Sequence, residues 1–259
     1  MSEKEENVTV EKKLDFRNYL NVYEFETVLP GSGETVKFRP ITTGQLKQLL
    51  VYENETNPIV VEKALDETLI TSSVISEGFN INNLYLQDRF FLLVEIRRKS
   101  KGDNYQFEYV CPECKSQSVQ NVKLNELKVT SIPEDIKDIV EIDKNLSVKL
   151  AHVTRGGQKE AYKNIKNIKK LTDTQRITEM SLFTHAASIQ SIIVPEGEIT
   201  DATIMDRKYL LENIPTNAYE KIRDWFSDNN FGMDFNYTIA CKGCDHEEIL
   251  DIPIENFFF

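Results

Sequence analysis

The sequence predicts an α+β fold made of two tandem units, each with a β-hairpin, several helices and a second hairpin whose turn reads Cys-x-x-Cys. Three observations support this fold class. All four cysteines of the chain lie in two such turns, Cys111–Cys114 and Cys241–Cys244. Alternating apolar residues, the pattern of half-buried strands, flank both turns. Shifting the chain by 130 residues lays one turn and its flanks on the other.

The overall composition is that of a soluble globular protein. At 259 residues, with 40% hydrophobic and 28% charged residues, the chain can form one large domain or two small ones. The segment Met1–Lys13 does not resemble a signal peptide, and no apolar run reaches the length of a membrane span. Two isolated Cys-x-x-Cys pairs fit a metal in a reducing cytoplasm better than a disulfide framework. We therefore expect no membrane contact.

The net charge argues against nucleic acid as a partner. A protein that binds nucleic acid normally presents a basic face to the phosphates, whereas this chain carries a formal charge of −11. Its basic clusters, Arg97–Lys101 and Lys163–Lys170, have the spacing of solvated helix faces or helix ends. We therefore expect contact with nucleic acid to be absent.

The first unit begins after a polar, charge-rich stretch. We expect residues 1–21 to form a flexible N-terminal arm. Tyr23–Phe38 then has the pattern of a hairpin, with turn residues at Pro30–Gly33.

Three helices are predicted next. A threonine of the Thr42-Thr43 pair caps the first helix, which carries Leu46, Leu49 and Leu50 on one face. The second runs over about residues 59–76 and the third over about 84–98, ending before the Gly102 turn.

After Thr130 the order of elements repeats. The stretch Val36–Gly44 matches Val148–Gly156 at an offset of 112 residues. Asp88–Ile96 likewise matches Asp206–Ile214 at an offset of 118. We interpret this recurrence as a diverged tandem duplication, with chance similarity of short apolar patterns as the alternative.

The duplication divides the chain into a first unit at residues 22–130 and a second at residues 131–259. Glu196-Gly197 corresponds to Glu77-Gly78, which ends the second helix of the first unit. A further helix at Ala218–Phe226 is predicted in the second unit.

The two cysteine turns together predict one structural zinc site with the ligands Cys111, Cys114, Cys241 and Cys244. A tight turn directs two thiolates at one edge of an ion, and two turns complete a four-sulfur tetrahedron with no open position for catalysis. Because residues 115–240 separate the pairs, tertiary folding has to close the site. The alternative is reduced cysteines packed as small apolar side chains. A redox role is disfavoured, because neither hairpin offers the helix N-terminus that lowers a thiol pKa.

No enzyme signature is present in the sequence. The Gly31-Ser32-Gly33 turn lacks the Lys-Ser/Thr that follows in a phosphate-binding loop. The histidines His152, His185 and His246 are scattered, and His246, two residues after Cys244, is either a neighbour of the metal, an alternative ligand or an exposed turn residue. We predict no catalytic site and no small-molecule substrate. The terminal Phe257–Phe259 is expected to pack in the protein's own core or against a partner.

Three stretches of the sequence resemble one known family. They are Tyr23–Pro40, Leu86–Phe91 leading to Cys111–Cys114, and the closing Cys241–Cys244 hairpin with its aromatic tail. They are similar to the T4-type bacteriophage baseplate proteins, the hub subunit and its relatives. The resemblance runs from Tyr23 to Phe259 and is weakest between residues 130 and 201.

The resemblance implies a structural or assembly component of the contractile-tail baseplate, in the hub region. Such a protein is assembled in the host cytoplasm, is located in the tail of the virion, and has other phage baseplate and tail proteins as partners. Docking through the N-terminal arm and the aromatic C-terminus is the expected mode of contact. The alternative function is a zinc-ribbon adaptor in phage transcription or replication that touches nucleic acid.

Overall fold

The computed structural model describes residues 20, 23–53, 55, 57–165 and 170–252, which form the α+β fold that the sequence predicts. The elements of the first half are β1 (Phe25–Val28), β2 (Thr35–Phe38), α1 (Thr43–Leu49), α2 (Pro58–Leu65), α3 (Thr71–Ser73), α4 (Leu86–Lys101), β3 (Asn104–Val110), β4 (Gln117–Lys123) and β5 (Val129–Thr130). Those of the second half are β6 (Ile139–Asp143), β7 (Leu146–Leu150), α5 (Arg155–Tyr162), α6 (Asp173–Ser188), β8 (Ile189–Val194), β9 (Gly197–Ile199), α7 (Ile204–Asn213), α8 (Thr216–Asp228), β10 (Gly232–Met233), β11 (Asn236–Ala240) and β12 (Glu247–Asp251).

The N-terminal hairpin is present as predicted, with β1 antiparallel to β2. Its turn is held by the buried carboxylate of Asp88, in the first turn of α4. This carboxylate accepts hydrogen bonds from the backbone N–H groups of Gly31 (2.7 Å) and Ser32 (3.0 Å). Gly31 has no room for a side chain, because a Cβ there would overlap the ring of Phe231. The turn is therefore packed against both α4 and a residue of the second half.

Helix α1 is capped by Thr42, as predicted. The Thr42 hydroxyl accepts from the backbone N–H of Gln45 (3.2 Å), and the Gln45 side chain accepts in return from the Thr42 N–H. Leu49 is buried, but Leu50 is 45% exposed, so its expected place on the buried face is wrong. The helix tightens into a 3₁₀ turn at Leu50–Tyr52, and this change of pitch turns Leu50 toward solvent.

The second predicted helix is observed as a continuous helical stretch from Pro58 to Ser73. Asn57 caps it, and Pro58 occupies the first helical position, where a missing N–H costs nothing. The stretch is interrupted by a π-helical turn, Asp66–Ile70, between α2 and α3. This turn points the carboxylate of Asp66 into the protein interior, where the side chain is 1% exposed.

The second half contains a four-stranded antiparallel sheet in the order β6-β7-β8-β9. The sequence analysis does not predict strands β8 and β9, since it matches Glu196-Gly197 to the end of a helix. Gly197 instead follows the tight turn between the two strands, with a φ of +146° that favours glycine.

The junction between hairpin and helix has the same backbone contact in both halves. The N–H of Arg39, which follows β2, donates to the carbonyl of Ser73 at the end of α3 (2.9 Å). The N–H of Ala151, which follows β7, donates to the carbonyl of Ser188 at the end of α6 (2.9 Å). In each case the preceding strand residue also pairs with the residue that follows the helix.

Two main apolar cores lie in the described part of the chain. The first is centred on α4 and the N-terminal hairpin, and the second lies between the four-stranded sheet and α8. The first core also contains Met233 and Ile252, which flank the C-terminal hairpin. In addition, β5 pairs with β10, with Thr130 opposite Gly232. The C-terminal hairpin is therefore anchored in the core of the first half.

Two features expected from the sequence lie outside the described residues. They are the N-terminal arm, residues 1–21 apart from Leu20, and the terminal Phe257–Phe259. Among the helices that are described, none is both long and apolar enough to cross a membrane.

Candidate metal centre

The first cysteine pair lies at the tip of the antiparallel β3–β4 hairpin. Two backbone hydrogen bonds close the tip, from the Cys111 N–H to the Ser116 carbonyl and from the Lys115 N–H to the Cys111 carbonyl, both 3.0 Å. Lys115 adopts a left-handed conformation, with φ of 59°, that turns the chain back toward β4. The turn therefore keeps Cys111 and Cys114 close together, as the spacing predicts.

The second pair lies at the tip of the β11–β12 hairpin, and one backbone hydrogen bond closes its turn at the corresponding place. The Cys241 N–H donates to the carbonyl of His246 (2.9 Å), the residue that corresponds to Ser116 at the offset of 130. The Gly243 N–H donates to Sγ of Cys241 (3.3 Å). Backbone N–H groups directed at sulfur stabilise the thiolate form that a metal requires.

Folding brings the two hairpins together so that the four sulfur atoms lie within 4.8 Å of one another. The Sγ atoms of Cys111 and Cys244 are 3.8 Å apart, and those of Cys114 and Cys241 are 3.6 Å apart. Sulfurs arranged tetrahedrally at about 2.3 Å from a central zinc ion are separated by about 3.8 Å. The two distances are too long for disulfides, whose sulfurs lie about 2.05 Å apart. These two distances thus fit two edges of a tetrahedral metal site.

The two short sulfur contacts correspond to each other at an offset of 130 residues. The first cysteine of each hairpin contacts the second cysteine of the other, so an offset of 130 residues exchanges the Cys111–Cys244 contact with the Cys241–Cys114 contact. Each hairpin therefore contributes equally to the cluster.

The centre lies at the protein surface above a small apolar cluster. Cys111 is fully buried, with Tyr109 and Ile239 beneath it, whereas Cys114 is exposed. The Tyr109 hydroxyl donates a hydrogen bond to the carboxylate of Glu248 and so connects the hairpins beside the sulfurs. One side of the cluster is closed by packing and the other is open to solvent.

The pKa values of Cys114, Cys241 and Cys244 are shifted in opposite directions. The Ser116 hydroxyl and the Gly243 N–H lower the pKa of Cys241 to about 6, and Ser116 also lowers the pKa of Cys114. At Cys244 the backbone N–H of His246 lowers the pKa, but the neighbouring cysteines outweigh it, and the pKa rises to about 12. The cluster therefore favours thiolates at some positions and a proton at another. A divalent cation would replace that proton and stabilise all four thiolates.

Comparison with known proteins identifies the family of the chain. The family model of the T4 bacteriophage base plate protein matches residues 21–259. The chain belongs to this family. No curated protein and no solved structure matches the chain. The family indicates a structural component of the phage baseplate, with a location in the virion tail and interactions with other tail proteins.

In this base plate protein no described histidine side chain belongs to the group that could hold a metal. Among the described residues, the four cysteines form the only group of three or more side chains suited to hold a metal. The His246 ring is directed at Glu248, with 3.6 Å between Nε2 and the carboxylate. His152 is enclosed by aromatic rings, including that of Trp225, and His185 contacts the hydroxyl of Tyr219.

A second cluster of polar residues, which the sequence analysis does not predict, joins the two halves of the base plate protein. We name it the buried ion cluster; its members are Glu62, Asp66, Arg89, Arg155 and Lys159. The first three lie on α2, the π turn and α4, and the other two lie on α5. Helical charges are usually solvated, and the partners are distant in sequence, so no local signal identified them.

Asp66 is the centre of the buried ion cluster. Its carboxylate accepts hydrogen bonds from Nε of Arg89 (2.6 Å) and Nε of Arg155 (2.7 Å), and it lies 3.0 Å from Nζ of Lys159. Burial alone would raise the pKa of Asp66, but the charges of the two arginines hold it below its usual value. Asp66 thus stays ionised and ties α5 to the first half.

Proposed function

We propose that this chain is a non-enzymatic structural or assembly component of the hub region of a contractile-tail phage baseplate. The observation that carries the proposal is the family match over residues 21–259, nearly the whole chain. On this proposal the protein acts by contact with neighbouring baseplate and tail proteins. It assembles in the host cytoplasm and remains in the tail of the virion.

We propose in addition that Cys111, Cys114, Cys241 and Cys244 bind one structural Zn²⁺. The four sulfurs supply the donor set of a closed structural site, and the two short distances of 3.6 and 3.8 Å match the edge of a zinc–sulfur tetrahedron. Zinc would neutralise the thiolates and contribute its binding free energy to folding. A four-sulfur site holds its metal without an open position, which suits a scaffold rather than a catalyst.

The tandem duplication explains why one site draws on two distant hairpins. We propose units at residues 22–130 and 131–259, each ending in one cysteine hairpin, with the metal near the axis that relates them. Supporting features are the repeated Arg39–Ser73 and Ala151–Ser188 contacts and the exchange of the sulfur contacts at an offset of 130. The metal would then hold the two units in one cooperative structure.

The decisive experiment for the function is quantitative mass spectrometry of purified phage particles. A few copies per particle would support a virion subunit. Presence in infected lysate with absence from particles would reject the virion location and favour a transient assembly factor. Salt-sensitive DNA binding by the purified protein would instead favour the adaptor function.

Contacts made by the chain ends form a separate proposal. We propose that residues 1–21 and Phe257–Phe259 contribute to docking on neighbouring subunits. Phage carrying a gene that lacks residues 1–21 should then yield fewer infectious particles, while the truncated protein keeps the thermal stability of the full chain. Full assembly with the truncated protein would remove the arm from the proposal.

Metal analysis of the purified full chain tests the zinc site independently of the function. One equivalent of Zn²⁺ per chain is expected, together with protection of all four thiols from alkylation. A protein that folds with four freely reactive thiols and no bound metal would contradict the site and leave the baseplate assignment untouched.

A further inference from the structure

Ser116 lies at the junction of the two cysteine hairpins. Its hydroxyl oxygen is 3.0 Å from Sγ of Cys114, on its own hairpin, and 3.3 Å from Sγ of Cys241, on the other. It is therefore one polar side chain that contacts both halves of the sulfur cluster. The hydroxyl has a single proton, and a thiolate has none to give, so Ser116 acts as the donor once the sulfurs are ionised.

The position of Ser116 is fixed on two sides. Its carbonyl accepts the hydrogen bond from the Cys111 N–H that closes the turn, so its backbone cannot move independently of the cysteines. On the other side lies Gly243, where an added Cβ would be only 2.9 Å from the Ser116 hydroxyl oxygen. The absence of a side chain at Gly243 thus leaves the space that the hydroxyl needs.

The two hairpins differ at this place. The second hairpin has His246 at the position that corresponds to Ser116, and its carbonyl makes the same backbone contact with Cys241. The imidazole is directed at the carboxylate of Glu248. The hydroxyl that contacts sulfur therefore belongs to the first hairpin. It contacts Sγ of Cys241 on the second hairpin, and the same sulfur also accepts a hydrogen bond from the Gly243 N–H.

We propose that Ser116 is a positioning residue of the metal centre, whose hydroxyl shares its one proton between the thiolates of Cys114 and Cys241 and holds the two hairpins at the spacing a tetrahedral metal requires. The proposal rests on the zinc site proposed above. Donors around ligand atoms orient them and disperse their negative charge, and their removal typically weakens metal affinity by about 10- to 100-fold. Ser116 thereby strengthens metal retention on the exposed side of the site, where Cys114 lies.

The test compares metal release from full-length variants that differ in one hydroxyl. Ser116→Ala removes the donor, and Ser118→Ala is the matched control, since the Ser118 hydroxyl contacts Gln120 on β4. Competition for Zn²⁺ with a chromogenic chelator should show an affinity about 10- to 100-fold weaker in Ser116→Ala and unchanged in Ser118→Ala. Equal affinities of Ser116→Ala and wild type would overturn the proposal.

A second readout separates positioning from general destabilisation. With one equivalent of Zn²⁺, alkylation followed by peptide mass spectrometry should show faster modification of Cys114 and Cys241 in Ser116→Ala, while Cys111 stays protected. Equal acceleration at all four cysteines would indicate mere loss of structure and overturn the proposal.

A second pair of variants keeps the test decisive if Ser116→Ala does not fold. Ser116→Thr keeps the hydroxyl and Ser116→Val has nearly the same shape without it, so tighter Zn²⁺ retention by the threonine variant is expected. Equal retention would overturn the proposal. Wild-type protein that binds neither Zn²⁺ nor Co²⁺ would overturn the metal site and this inference together. Weaker Zn²⁺ retention in the valine variant alone would support both.

Discussion

Replacement of Asp66 by asparagine should destabilise the protein by about 3 kcal/mol, the lower end of the cost of breaking a buried ion pair. The Asp66 side chain is 1% exposed, and it contacts two guanidinium groups, those of Arg89 and Arg155, that are equally buried. Asparagine keeps the shape but removes the charge, which leaves both arginines without their main partner. Glu62, which also pairs with Arg155, limits the loss.

Urea unfolding followed by fluorescence measures this change. Trp225 is the single tryptophan, is buried, and donates its indole N–H to the carbonyl of Lys137 (2.7 Å), so it reports on the half opposite Asp66. With a urea slope of about 3 kcal/mol/M, the midpoint should fall by about 1 M. Glu67→Gln is the matched control, since this exposed carboxylate pairs with Lys63 at 3.7 Å and should contribute less than about 0.5 kcal/mol.

The pH dependence gives the same prediction a second test. Because the folded pKa of Asp66 is lowered, its stabilisation is complete above the unfolded pKa of about 3.9 and is lost as the pH falls through the folded pKa. The difference between wild type and Asp66→Asn should therefore be constant near neutrality and shrink below about pH 3.9. An asparagine variant as stable as the Glu67→Gln control at pH 7 would refute the reasoning.

Three further predictions concern packing, protonation and metal. Gly31→Ala should lower the free energy of unfolding by about 1–3 kcal/mol, because the new methyl group overlaps Phe231. The control Gly44→Ala in α1 should be neutral or stabilising, and equal melting temperatures of the two variants would contradict the prediction. Burial lowers the pKa of His185 to about 4, so stability should fall by up to about 3 kcal/mol between pH 6.5 and 4, and His185→Gln should flatten that slope in urea titrations at several pH values. Cys241→Ser should expose both halves to limited proteolysis, and continued protection of the first half would show that the halves fold independently.

The cysteine centre was accessible to sequence reasoning because its signal is local. Each pair sits in a short turn, and Tyr105 and Tyr109 before the first turn are buried as the alternating pattern predicts. Val119 and Ile249, which follow the two turns, are instead exposed. The sequence also predicts that the two cysteine pairs lie close together, because the strands that flank them are similar and can pack in similar ways. Ser116 was missed, because a serine two residues after a Cys-x-x-Cys turn has no pattern of its own.

The buried ion cluster could not be predicted for a different reason. Arg89 and Arg155 occupy helical positions where a charge is normally solvated, and both contact Asp66 across 23 and 89 residues of sequence. Burial of a charge becomes favourable only when its partners arrive from distant segments. Strands β8 and β9 were missed because the repeat predicts a helix end at Glu196-Gly197, whereas this pair lies where the chain turns from β8 into β9.

The anchoring of Met233 and Ile252 in the first core has a consequence for biosynthesis. Residues 23–130 are synthesised long before Met233 and Ile252, so the core of the nascent first half is unfilled. At that stage Cys111 and Cys114 are also only half of the sulfur cluster. Such contacts of long sequence separation form late and leave apolar surface open to aggregation in the meantime. A chain terminated before Met233 would lack both side chains, and we expect its unfilled core to favour degradation by cellular proteases.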